Sequence, residues 1–177
     1  MSEATIRFPE IDLSTAAPAQ LQIAEEIKSG PRKGLFGPFI PLLHAPALAA
    51  RIHKVGEYLR YESSLPKDVL ECAVLTVATR WTCKFEWEHH APLALAAGVP
   101  ASVVQAIADK ASPETLPEPY RLTVNICHAA LKDGRVGDQD FARARSAFGL
   151  AGVLELLTVC GYYSTLAMYL NAAEFSQ

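Results

Sequence analysis

Four residues of the 177-residue chain combine side-chain types and spacings suited to proton transfer: Glu71, Cys83, Glu86 and His90. On a helix that turns about 100° per residue from Cys83, Glu86 falls at about 300°, His90 at about 340° and Trp87 at about 40°, all on one face. Ala94 and Ala97 continue that stripe. Glu86 and His90 stand four residues apart, close enough on a helix to interact directly. A polar stripe that runs into small apolar residues suits a helix lining a cavity. Glu88, at about 140°, points away and is expected in solvent.

Cys83 lies near the start of this helix, with Thr82 placed to cap it. The positive end of a helix stabilises a thiolate, and a protonated histidine nearby adds to the effect. Glu86 one turn on opposes it, and the balance stays open at the level of sequence. Glu71 sits in the preceding helix among Val74, Leu75 and Ala78. A carboxylate in such a stripe is costly unless paired or protonated. Because short connections leave consecutive helices antiparallel, His90 is the expected partner. The pairing would fix the imidazole tautomer or raise the carboxyl pKa. The competing reading is an ion pair between Glu71 and an arginine such as Arg51. His89 diverges from His90 by about 100° and suits either a site or a structural hydrogen bond. His44, His53 and His128 read as structural, and Trp81, Trp87, Tyr162 and Tyr163 as core or interface aromatics. Cys83, Glu86, His89 and His90 offer donors for zinc or iron. Adjacent histidines point apart on a helix, however, so no metal is expected.

These residues need helices to position them, and the chain supplies a helical pattern throughout. Half of the residues are hydrophobic, Ala and Leu dominate, and period-2 runs of β-branched residues are nearly absent. One all-α domain over residues 1–177 is expected, with an irregular arm over 1–17. Helices are expected over about 18–28, 46–62, 67–80, 83–97, 100–110, 116–132, 138–148 and 151–172. Ser64 is a candidate N-cap and Pro66 a first-turn residue for the third of these. Leu116-Pro117 looks like a second start of the same kind, and Asp138 a further cap. Gly98 and Asp133-Gly134 mark stops. The breaker-rich stretch 29–38 carries Leu35 and Phe36, too apolar for a loose linker, so it should fold over the body as a lid or packed loop. It lacks the Gly-Lys-Ser/Thr ending of a phosphate loop. The last helix, apolar on two faces, should be buried centrally or against another subunit.

Charge and targeting narrow the function. A net charge of -3 and a pI near 5.9 offer no basic surface for nucleic acid. The N-terminus lacks the basic and apolar regions of a signal peptide, and no uninterrupted apolar run reaches about 18 residues, so no membrane span is expected. Cys72, Cys83, Cys127 and Cys160 form no Cys-x-x-Cys pair and read as free, mostly buried thiols. A cytoplasmic protein is expected.

The pattern Glu71-x11-Cys83-x2-Glu86-x3-His90 resembles the core motif of the carboxymuconolactone decarboxylase and alkylhydroperoxidase D superfamily. In the peroxidase branch a second cysteine stands where this chain has Glu86. The words Gly37-Pro38-Phe39, Leu42-Leu43-His44, Ser63-Ser64-Leu65-Pro66, Glu86-Trp87-Glu88-His89-His90, Gly161-Tyr162-Tyr163 and Leu170-Asn171-Ala172 are similar to the decarboxylase-like branch. Together they cover roughly residues 35–175. The resemblance implies an alkylhydroperoxidase D-like helical fold, a homo-oligomer (trimer or hexamer), and no cofactor. It implies acid–base chemistry on a small organic acid or lactone, such as decarboxylation. His90 would move the proton, Glu71 would tune it, and Glu86 would serve as a second acid/base or orient the substrate. Cys83 would line the pocket, and Trp87 and His89 are the expected substrate-binding neighbours; outside the motif, Arg51 or Arg80 is expected to bind an acid group. Two alternatives accompany this expectation. One is peroxide reduction by Cys83 as a single reactive thiol, and the other a non-catalytic oligomeric binding protein.

Overall fold

The computed structural model describes residues 7–173, and all regular structure among them is helical. Eight α-helices follow one another among these residues: α1 (Pro18–Ser29), α2 (Phe39–Leu42), α3 (Pro46–Tyr61), α4 (Lys67–Arg80), α5 (Lys84–Ala96), α6 (Ala101–Ala108), α7 (Tyr120–Asp133) and α8 (Asp138–Ala173). A single 3-10 turn, Pro113–Thr115, precedes α7. The chain divides into two compact units. One holds the described residues up to Glu62 together with those from Met168 onward, and the other runs from Ser63 to Ala167.

In the first unit, Pro18 and Pro46 open α1 and α3, where a missing N–H costs nothing. Ile23, Ala24 and Ile27 of α1 pack with Phe39, Leu42, Leu43 and Ala49 into one core. The stretch 29–38 is a packed loop: Gly37 and Pro38 are buried, Leu35 rests on that core, and the Arg32 guanidinium lies 4.3 Å from the centre of the Phe39 ring. It ends in α2, a single helical turn that the breaker-rich sequence hid. The described part of the expected arm is non-helical and is pinned by a 2.8 Å contact between His44 Nε2 and the Pro9 carbonyl. Residues 1–6 of that arm lie outside the described residues.

The second unit is built on α4, whose residues Val69 to Ala78 are all buried. A helix buried on every face is apolar all round, which is why its sequence lacks a sharp amphipathic stripe. Packing against α5, α6 and α7 puts Cys72 and Leu75 in one cluster with Ala94, Val99, Val103, Leu116 and Val124. Burying a side chain such as Leu75 is worth about 2 kcal/mol.

The start of α4 differs from expectation. Pro66 is itself the N-cap residue, and Ser64 does not cap the helix. The Ser64 hydroxyl instead donates to Glu155 Oε2 at 2.7 Å, and its backbone N–H donates to the same oxygen at 3.0 Å. Ser63 Oγ adds a 3.2 Å bond, so a carboxylate from α8 ties down the whole turn. A charged acceptor that satisfies three donors outcompetes a local cap. Helix α7 likewise begins at Tyr120 and not at Pro117, with Pro119 as its N-cap residue.

The two expected C-terminal helices are joined into α8, with a break where they should part. Gly149 has φ 69° and ψ 176°, a conformation essentially reserved for glycine. An 18-residue window of α8 meets the length and composition of a membrane span, where none was expected from uninterrupted runs. Of that window 61% is buried within the protein, as in a core helix.

Candidate functional site

The three residues Trp81, Thr82 and Cys83 reverse the chain between α4 and α5. The Thr82 N–H donates to the Thr79 carbonyl at 3.2 Å and the Cys83 N–H to the Ala78 carbonyl at 2.9 Å, closing off the end of α4. This closure puts Thr82 in the left-handed region at φ 50°, a conformation that costs a residue with a side chain about 1–2 kcal/mol. Thr82 therefore terminates α4 and does not cap α5. Cys83 is the N-cap residue of α5, in extended conformation.

The reversal brings α5 back along α4 and sets His90 against Glu71. His90 Nδ1 lies 2.6 Å from Glu71 Oε2, and His90 Nε2 lies 3.4 Å from Glu86 Oε2. Glu71 thus pairs with His90 and not with Arg51. All three groups are buried, with His90 2% exposed, Glu86 3% and Glu71 7%. Burial is the largest single influence on the imidazole and opposes its charge. The contacts to Glu71 and Glu86 together outweigh it, so the His90 pKa is raised above its ordinary value of 6.5. The Tyr163 ring meets His90 edge-on, with centroids 5.2 Å apart and planes at 89°. Tyr163 was readable as a core or interface aromatic; in the fold it packs against the His90 ring.

Cys83 settles the balance left open by sequence. Burial pushes its thiol pKa up, and the Glu86 charge adds to that. The backbone N–H groups of Glu86 and Phe85 at the start of α5 pull the other way without prevailing. The other cysteines are buried as free thiols. Burial, with the Asp68 charge, pushes Cys72 up to about 12, and Cys127 is raised well above its ordinary value chiefly by its neighbour Cys160.

Cys83 and Trp87 line a cavity of about 310 Å³, together with Thr79, Thr82, Lys84, Glu88 and Lys110. Glu71, Glu86 and His90 are not among its lining residues, so the face read as one cavity wall is divided. Its first turn meets the cavity, and its carboxylate–imidazole part turns inward toward Tyr163. Glu88 is exposed, as expected, at the cavity and 3.7 Å from Lys84 Nζ. His89 stacks on Phe85, with rings 6.0 Å apart and 5° between planes, and meets the His90 ring at 5.0 Å.

The two arginines separate. Arg51 belongs to α3 in the first unit, is exposed, and donates to the Ala47 carbonyl on its own helix. Arg80, at the end of α4, lines a second cavity of about 200 Å³ with Thr76, Thr79, Lys110 and His128. Lys110 follows the end of α6 in left-handed conformation (φ 53°) and lines both cavities. Sequence reasoning passed over Lys110 and Thr79, since neither carries a motif. Among the described residues no group of three or more His, Cys, Asp or Glu is arranged to hold a metal ion.

No protein-family model matches the chain, and no curated protein matches it.

Proposed function

We propose that the protein is an enzyme acting by general acid–base chemistry on a small organic acid or lactone, as its resemblance to the carboxymuconolactone decarboxylases implies. One observation carries the reading: His90 stands between two buried carboxylates, 2.6 Å from Glu71 and 3.4 Å from Glu86, with its pKa raised. Decarboxylation breaks the bond to the departing carboxylate, releases carbon dioxide and leaves the electron pair on the substrate as an enolate. A proton must then be delivered to that carbon. The Glu86 charge acts on both Cys83, at the cavity, and His90. In this reading His90 supplies the proton, Glu86 at 3.4 Å from Nε2 is the second acid/base beside it, and Glu71 holds Nδ1. Cys83 and Trp87 shape the pocket. Peroxide reduction by Cys83 is the weaker reading, because a raised thiol pKa leaves little thiolate at neutral pH.

A second reading has its own support. Glu71 and His90 line neither described cavity, which suits a binding protein in which the pair only satisfies itself. Turnover separates the two. Carbon dioxide release and lactone loss are followed over a panel of small lactone carboxylic acids, for the wild type, Glu86→Gln and His90→Gln. The acid–base reading expects at least one substrate, with kcat lowered about 100-fold or more in each folded variant. Absence of turnover across the panel, or folded variants as active as wild type, favours the binding protein. An oligomer placed in the cytoplasm, trimeric or hexameric, belongs to the same proposal.

A further inference from the structure

We propose that the cavity among α4, α6 and α7 is a binding site for the carboxylate of a small organic acid. Arg80 and Lys110 supply charge and Thr79 a hydroxyl donor. Arg80, Lys110 and His128 all line it, and no acidic side chain does among the described residues. Burial and then the Arg80 charge lower the His128 pKa from its ordinary value, so the cavity's positive charge is carried by Arg80 and Lys110.

Thr79 provides an independent observation. The helical threonines Thr76, Thr123, Thr158 and Thr165 each donate to the carbonyl four residues back. The Thr79 hydroxyl is buried and has no hydrogen-bond partner among the described residues. A buried hydroxyl left unpaired carries a desolvation cost that a bound carboxylate oxygen would remove. The remaining wall is apolar, with Ile107 and Leu116 facing the space, which favours an anion with a hydrocarbon body over inorganic phosphate. Thr79 and Lys110 also line the Cys83 cavity, so an acid anchored here can extend toward it. The inference deepens the acid–base reading by adding a carboxylate anchor. Binding is measured without turnover, so the two can fail separately.

The test is calorimetric titration of the full chain with succinate, with its neutral diamide succinamide and with inorganic phosphate. Wild type, Arg80→Gln, Lys110→Gln, Thr79→Val and the charge-keeping Arg80→Lys are compared, each checked for helical content. Millimolar or tighter succinate binding is expected, at least tenfold stronger than binding of succinamide or phosphate. Arg80→Gln and Lys110→Gln should each weaken it at least fivefold, Thr79→Val by about threefold, and Arg80→Lys by less than Arg80→Gln. Absence of saturable succinate binding overturns the proposal. So does phosphate binding as tightly as succinate, or an affinity unchanged in Arg80→Gln and Lys110→Gln.

Discussion

Glu71 Oε2 lies 2.6 Å from His90 Nδ1, and this contact joins the central helix α4 to α5 inside the protein. Removing one partner of a buried ion pair strands the other in a poor solvent. Glu71→Ala should therefore cost about 3–5 kcal/mol of stability. Glu71→Gln keeps an acceptor oxygen for Nδ1 and should cost less. Urea unfolding of both variants measures the difference, and equal stability of the two would mean that the retained acceptor oxygen contributes nothing.

The raised His90 pKa makes stability depend on pH with a definite sign. The folded state holds the proton more tightly than the unfolded chain, whose value is near 6.5. The stabilisation is fully present below about pH 6.5 and is lost as pH rises through the folded value. The stability difference between wild type and His90→Gln should accordingly shrink as pH is raised above 6.5. Denaturant titrations at a series of pH values test this, and a difference that grows with pH would contradict it.

Cys83 should be a slow nucleophile at neutral pH. Burial and the Glu86 charge hold it as a thiol, so alkylation by iodoacetamide should be slower than that of an unstructured cysteine. Its rate should rise with pH past the ordinary thiol range. Mass spectrometry of the labelled peptide reads the rate, and fast labelling at pH 7 would revive the peroxidase reading.

Glu155 accepts bonds from Ser63 and Ser64 at the turn before α4. Glu155→Ala leaves these donors without a charged acceptor and should cost about 2–3 kcal/mol. Ser64→Ala, which keeps the backbone bond, should cost roughly half of that. Thermal or urea unfolding checks the order of the two.

Along α8, Leu150, Leu154, Thr158 and Gly161 follow one another at helical spacing and are all exposed, Leu150 at 55% and Leu154 at 66%. Two exposed leucines one turn apart, followed by the small residues Thr158 and Gly161, are suited to a second copy of the chain. Light scattering should find a trimer or hexamer in the wild type and a smaller species in Leu154→Glu. A wild-type monomer at high concentration would refute the assembly.

The sequence revealed the elements that obey local rules. Pro18 and Pro46 open helices, Gly134 closes α7 in left-handed conformation, and the Glu86–His90 spacing placed both residues on one face, which the fold buries where a cavity wall was expected. The Glu71–His90 pairing was legible because a carboxylate inside an apolar stripe requires a partner. What stayed hidden depends on residues far apart in the chain. Ser64 read as a cap because nothing local points to Glu155, 91 residues away. Thr82 read as a cap because the left-handed end of α4 is a property of the reversal. The inward turn of His90, away from the cavity that Cys83 lines, follows from the packing of Tyr163, which no spacing encodes.

The claim that two carboxylates hold His90 charged and ready to move a proton is tested most directly by an NMR titration of its ring nitrogens. The spectra would be recorded on the intact protein and on Glu71→Gln. The account predicts that the wild-type ring keeps both protons above pH 6.5, and that Glu71→Gln lowers the titration point. A wild-type ring that titrates at or below 6.5, or one that Glu71→Gln leaves unchanged, would contradict it.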